Sequence, residues 1–203
     1  VVVAAALAPT RLPAQHQHGC DSAAAAPARS ARRYTAADVQ FMQHMIGHHA
    51  QALTMAAMVP ARTEAGAIRQ LAQRIEVSQR DEIALMQRWL AVRHETVPAA
   101  DPSHHHEGAD TAHEVLMPGM LTPAELDRLA ASHGADFDRR FLTFMIRHHE
   151  GALTMVANLF ATTGAGQEAE AFRFASDVDS DQRAEIRRMR ALLAQLPPDS
   201  TRS

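Results

Sequence analysis

Residues 41–55 read FMQHMIGHHAQALTM, and residues 141–155 read FLTFMIRHHEGALTM. Nine of the fifteen positions are identical at an offset of 100: Phe41, Met45, Ile46, His48, His49, Ala52, Leu53, Thr54 and Met55 with their partners. Asp38 and Asp138 extend the match. A second block follows at an offset of 103, where Gln79-Arg80-x-Glu82-Ile83-x-x-Met86 answers Gln182-Arg183-x-Glu185-Ile186-x-x-Met189. Self-similarity at a fixed spacing marks two copies of one supersecondary unit, each with an apolar face to bury.

Both blocks read as helix. Thr35 with Asp38 forms a capping box, and Pro60 is expected to stop the first helix at about Val59. Thr63 can cap a second helix running to about His94, with Ile68, Leu71, Ile75, Ile83, Met86 and Leu90 near helical spacing. In the second half the spacing predicts helices over about 135–162 and 167–196, the first ended by Gly164 and Gly166, the second by Pro197-Pro198. Between the halves, Thr122-Pro123-Ala124-Glu125 starts a short helix that ends near His133-Gly134. Two hairpins with one apolar face each bury those faces best against each other. The expected fold is therefore all-α: a four-helix bundle of two duplicated hairpins with a short connecting helix.

This places a targeting segment and linker at 1–33 and one helical domain at 34–198. Within that domain the repeats cover 35–97 and 135–196, joined by a loop and short helix at 98–134; residues 199–203 form a tail. Val1-Val2-Val3-Ala4-Ala5-Ala6-Leu7-Ala8 resembles the apolar part of an export signal, which implies a periplasmic or extracellular protein. Gln17, His18 and Gly19 stand before Cys20, where a lipobox wants apolar or small residues, so lipid anchoring is disfavoured. Residues 21–33 are rich in Ala, Pro and Ser and carry no buried-face pattern.

Composition excludes several classes. The 203 residues carry a formal charge of -3, which gives no net attraction to nucleic acid phosphate. A single Cys excludes an internal disulfide framework and a Cys-based zinc ribbon. No apolar run is long enough to span a membrane. All 20 basic residues are Arg, so Schiff-base chemistry and a P-loop lysine are both absent. No Ser/His/Asp order, glycine-rich phosphate loop or nucleophilic Cys setting appears. The chain is instead rich in His (13) and Met (10).

On a helical wheel, His44, Phe41, Met45, His48, His49, Ala52 and Met55 share one face. Met45 precedes His48 by three residues and His49 by four, so their side chains can converge. Thioether sulfur is soft and neutral and imidazole is borderline; together they suit Cu(I), and imidazole also suits Cu(II). Met at core spacing is also ordinary core filler, and a buried His is often only hydrogen-bonded. The second copy strengthens the metal reading, because packing tolerates Leu for Met and does not require paired His. The candidate ligands are Met45, His48, His49 and Met55 with Met145, His148, His149 and Met155. His44 (Phe144 in the second copy), Met86, Met189, Met117 and Met120 form a weaker set. Met117 and Met120 lie on a Pro-Gly turn and either capture copper or dock onto the bundle. His104-His105-His106 and His113 sit in a polar loop that can capture metal weakly.

Helical bundles also hold di-iron and di-manganese centres, built from inward carboxylates and Glu-x-x-His pairs. No His here has Glu three residues before it. Glu82 and Glu185 can face inward, but each sits beside the Arg of a polar surface pattern, which disfavours an oxygen-rich site.

The two Met-Ile-x-His-His-x-x-Ala-x-x-Met blocks, Met117-Pro118-Gly119-Met120-x-Thr122, Asp136-Phe137-Asp138-Arg139 and Gln-x-x-Glu-Ile-x-x-Met together resemble the family named domain of unknown function 305. The resemblance covers about residues 35–196. It implies a ferritin-like helical bundle, usually exported, with some members binding copper and protecting cells from it, and it supports the repeated His and Met residues as ligands. The first expectation is an exported copper-binding protein without catalytic activity that sequesters copper or exchanges it with a donor or acceptor protein. A ferritin-like metal-dependent oxidase and a structural or partner-binding bundle without metal are the rivals.

Overall fold

The computed structural model describes residues 34–100 and 116–197. Expectations for 1–33, for His104, His105, His106 and His113, and for the tail lie outside the described residues. Helices α1 (Ala36–Arg62), α2 (Gly66–Val92), α3 (Pro123–Ala131), α4 (Gly134–Ala161) and α5 (Ala169–Gln195) make up the fold, and no strand occurs among the described residues.

Local chemistry sets the helix ends. Thr35 Oγ1 accepts from the Asp38 amide at 3.3 Å while Asp38 Oδ2 accepts from the Thr35 amide at 2.7 Å, closing the capping box. Thr122 and Glu125 do the same at the start of α3. Pro60 does not stop α1 at Val59. It lies in the last turn, where its missing amide removes one bond, to the Ala56 carbonyl, with only two helical residues left beyond it. The Thr63 amide still donates to the Val59 carbonyl at 3.2 Å. The free carbonyls of that turn are taken by Arg69, whose Nη2 donates to Pro60 O at 3.2 Å and Nε to Thr63 O at 2.7 Å. Thr63 therefore terminates α1 and does not cap α2, whose N-cap is Ala65 with no side-chain bond. The helix α5 starts two residues later than expected because Glu168 caps it, Oε2 accepting from the Ala171 amide at 2.9 Å. The short α3 stops at Ala131, and Gly134 opens α4.

The helices α1 and α2 form one hairpin and α4 and α5 the other; α1 packs on α4, while α2 and α5 barely touch. The core is two apolar clusters. One holds Met55 and Val59 of α1, Leu71 of α2, Phe141 and Met145 of α4 and Met189 of α5. The other holds Met45 of α1, Met86 and Leu90 of α2, Met155 and Leu159 of α4 and Val178 of α5. The early part of α1 thus shares a cluster with the late part of α4, so these two helices run antiparallel.

Residues 117–121 lie as a strap across α1 and α4. The Gln51 side chain, buried on α1, holds Leu121 twice: Leu121 N donates to Oε1 at 2.7 Å and Nε2 donates to Leu121 O at 3.0 Å. Gly119, at φ 76°, meets the backbone of Gly151 on α4; a Cβ on Gly151 would collide with the Pro118 carbonyl and lie 2.8 Å from Gly119 Cα. Met120 is buried and Met117 packs at the edge of the second cluster, so this pair docks onto the bundle. Gly151→Ala is expected to displace the strap and lower unfolding free energy by about 1–3 kcal/mol, the usual cost of overpacking. Urea denaturation monitored by circular dichroism measures it, and a loss under ~0.5 kcal/mol means that the close approach is not needed.

Candidate metal centre

Between the two apolar clusters the bundle is polar. His48 and His49 sit midway along α1, and His148 and His149 midway along α4. All four are buried. The His48 and His148 rings meet with centroids 3.9 Å apart and planes 33° from parallel. His49 lies 6.4 Å from His48 and His149 lies 6.2 Å from His148, centroid to centroid. The antiparallel crossing of α1 and α4 is what brings the two copies of the His-His pair together.

The partner helices complete this layer. His49 Nε2 bonds Glu82 Oε2 on α2, and His149 Nε2–H donates to Glu185 Oε2 on α5 at 2.6 Å. Both carboxylates are largely buried, and Gln79 and Gln182 lie buried one turn before them. The expectation that Glu82 and Glu185 belong to a polar surface pattern is therefore overturned. The signal was present: Gln79, Glu82 and Met86 fall at i, i+3 and i+7, the same face as a methionine assigned to the core. Burial and the charges of Glu82, Glu185 and Asp177 raise the Asp181 carboxyl pKa, which places Asp181 in the same electrostatic neighbourhood. The residues missed by the sequence reading are thus Glu82, Glu185, the buried Gln pair and the Pro118 carbonyl, which accepts from His48 Nε2 at 3.0 Å.

Four imidazole nitrogens are buried without a hydrogen-bond partner: Nδ1 of His48, His49 and His149, and Nε2 of His148. A bare, buried imidazole nitrogen is the donor atom a borderline or soft metal ion uses. Among the described residues no three His, Cys, Asp or Glu side chains form a group placed to hold a metal ion. The His–Glu contacts account for part of this: two of the four rings turn Nε2 toward a carboxylate of the neighbouring helix.

The methionines separate into two sets. Met45 and Met55 are ten residues apart on one helix, about 15 Å along its axis, and cannot reach one ion together. The convergence expected of Met45 with His48 and His49 therefore does not extend to Met55, although all four share one face of the helix. Met42, Met45, Met86 and Met155 share one apolar cluster, and Met55, Met145 and Met189 share the other. Each cluster draws thioethers from three different helices, and the imidazole layer lies between them. Met155 is 8% exposed and the other six are at most 1% exposed. Met86 also lines a cavity of about 320 Å³ between α2 and α5, together with Met42, Trp89 and Phe174. His44 is half-buried, one turn before His48.

Burial, reinforced by the neighbouring His49, holds the His48 pKa down to about 3 from 6.5, against the opposing hydrogen bond to Pro118. Burial, then the charge of His48, also lowers His148 well below its ordinary value. Both rings are neutral in the fold, whereas the unfolded chain protonates them near 6.5. Unfolding therefore takes up protons as pH falls below 6.5, and stability declines from there toward about pH 3. The expected slope approaches ~1.4 kcal/mol per pH unit for each ring. Urea denaturation of the metal-free protein across this window checks it, and a flat profile between pH 6.5 and 4 contradicts it.

An all-α protein with two hairpins crossing at a buried imidazole layer, with thioethers on both sides, is the class that fold and site define. The chain belongs to the DUF305 family: the family model described as domain of unknown function (DUF305) matches residues 38–193. A DUF305 fragment from Deinococcus radiodurans is 34% identical, with a TM-score of 0.67 over 80% of this chain and 99% of that one. A putative secreted DUF305 protein from Streptomyces coelicolor is 30% identical, with a TM-score of 0.65 over 78% of this chain and 93% of that one. CopM in its Cu(II)-bound form is 30% identical, with a TM-score of 0.60 over 77% of this chain and 95% of that one. CopM has also been solved bound to Cu(I) and to Ag. No curated protein matches the chain. No helix among the described residues is long and apolar enough to cross a membrane.

Proposed function

We propose that this protein carries copper as cargo, sequestering it or exchanging it with a donor or acceptor protein, without catalysing a reaction. The observation that carries the reading is the layered interior: four buried imidazoles with bare nitrogens between one cluster with four buried methionines and another with three. Thioethers are soft ligands and suit Cu(I); the imidazoles suit Cu(II). Met45, Met155 and Met86 serve one Cu(I) position, Met55, Met145 and Met189 the other, and His48, His49, His148 and His149 supply the nitrogen donors for Cu(II), which must move closer together to meet on one ion. The likeness to CopM, solved with Cu(I), Cu(II) and Ag, supports this assignment. The apolar stretch at residues 1–8 and the likeness to a putative secreted protein support action outside the cytoplasm, in copper tolerance or homeostasis.

The buried carboxylates Glu82 and Glu185 favour a second reading, a metal-dependent oxidase in a ferritin-like bundle. Each carboxylate, however, is already engaged by its own histidine. Anaerobic titration with Cu(I) against a strong competing chelator, with the metal-to-protein ratio measured after desalting, tests the first reading. Retained Cu(I) supports it. Loss of all metal on desalting contradicts it, and consumption of oxygen by the Fe(II)-treated protein favours the oxidase.

A further inference from the structure

In each of three buried rings one nitrogen is held by an oxygen that can only accept. The Pro118 carbonyl holds His48 Nε2, and carboxylates hold His49 Nε2 and His149 Nε2. In all three the opposite nitrogen, Nδ1, is buried and has no partner. The acceptor fixes where the proton sits. A neutral ring that donates Nε2–H must leave a lone pair on Nδ1. A carboxylate behind an imidazole also makes the far nitrogen a better donor to a metal ion.

We propose that Glu82 and Glu185 are positioning residues that lock His49 and His149 as Nε2–H tautomers, so that both rings present Nδ1 to a divalent cation. The proposal rests on the copper reading given above and names its donor atoms. The two carboxylates come from α2 and α5, the rings from α1 and α4, so each hairpin supplies one complete ring-and-carboxylate unit. The Pro118 carbonyl does the same for His48 from the strap. His148 differs: its bare nitrogen is Nε2, and a hydrogen bond with the His48 backbone accompanies it. The imidazole layer thus offers three Nδ1 donors and one Nε2 donor. The alternative role for the two His–Glu contacts is a charged pair, with both ring nitrogens protonated and no lone pair to give.

The double variant Glu82→Gln with Glu185→Gln separates these roles, because Gln keeps the volume but can donate its amide N–H to Nε2 and so permits the opposite tautomer. Imidazole 15N NMR of the metal-free wild type at neutral pH, with signals assigned by their loss in His49→Gln and His149→Gln, should show protonated Nε2 and bare Nδ1 in both rings. In the double Gln variant the two rings should show mixed or reversed tautomers, and Cu(II) affinity should fall about 10–100-fold while helical circular dichroism is unchanged. Doubly protonated rings or bare Nε2 in the wild type overturn the proposal. Unchanged tautomers and unchanged Cu(II) affinity in the variant also overturn it. If wild type shows the expected tautomers but fails to bind Cu(II), the copper reading itself is what fails, and the donor role falls with it. Reversed tautomers with Cu(II) bound as tightly as before overturn only the part assigned to the carboxylates.

Discussion

Replacing His48 and His148 together by alanine is expected to weaken Cu(II) binding by more than the ~10–100-fold that follows loss of an outer-shell partner. These two rings stack at the crossing of α1 and α4, so the double change removes the centre of the imidazole layer. It also leaves the Pro118 carbonyl without its donor, which costs about 1–3 kcal/mol for a buried acceptor. The same variant should lose most of the decline in stability between pH 6.5 and 4, because the two neutral rings that cause it are gone. The control is His104, His105 and His106 changed together. The helices already hold the four buried rings in place, so this triple change should alter affinity far less. Equal losses in the two variants move the Cu(II) position to the loop. Equilibrium dialysis with Cu(II), alongside urea denaturation of each variant, gives both readouts.

The second large effect concerns the other oxidation state. Met45, Met55, Met145 and Met155 changed together to leucine should leave the helices intact, since a volume-conserving swap usually costs under ~1.5 kcal/mol per site. Cu(I) affinity should nevertheless fall by at least about tenfold, because each proposed Cu(I) position drops from three thioethers to one and leucine offers no lone pair. The loss should persist in acid. Thioether sulfur takes up no proton in this range, and burial keeps His48 and His148 neutral well below the ordinary imidazole pKa. At about pH 4.5 wild type should therefore still hold Cu(I), and the leucine variant should hold it more weakly by a similar factor. Chelator competition at neutral and acid pH measures this, and equal Cu(I) affinity in the two proteins reduces these methionines to core filler.

The repeat makes the architecture legible in the sequence alone. Two matched blocks with helical spacing require two equivalent hairpins, and α1, α4 and α5 begin and end within about three residues of expectation. Helix ends were misread where a long side chain from elsewhere intervened. Arg69 reaches back to cap the turn at Pro60, and nothing adjacent to Pro60 in sequence announces that. The site was legible as a set of residue types but not as an arrangement. A wheel drawn for one helix gathers Met45 and Met55 on one face, while the antiparallel crossing of α1 with α4 assigns them to opposite clusters. Glu82 and Glu185 were misjudged for a related reason. Neighbouring Arg residues suggest a solvated face, yet a residue one turn before a core methionine faces inward, and a buried histidine supplies the partner that its carboxylate needs.

Binding of Cu(I) by thioether sulfur is what sets this protein apart from a bundle with methionine as core filler. Copper X-ray absorption on the Cu(I)-loaded Cys20→Ser protein tests it, the substitution removing the one thiol of the chain. Sulfur neighbours in the first coordination shell, fewer once the four leucine changes are added, are the predicted result. A shell of nitrogen and oxygen alone, unchanged between the two proteins, would contradict it.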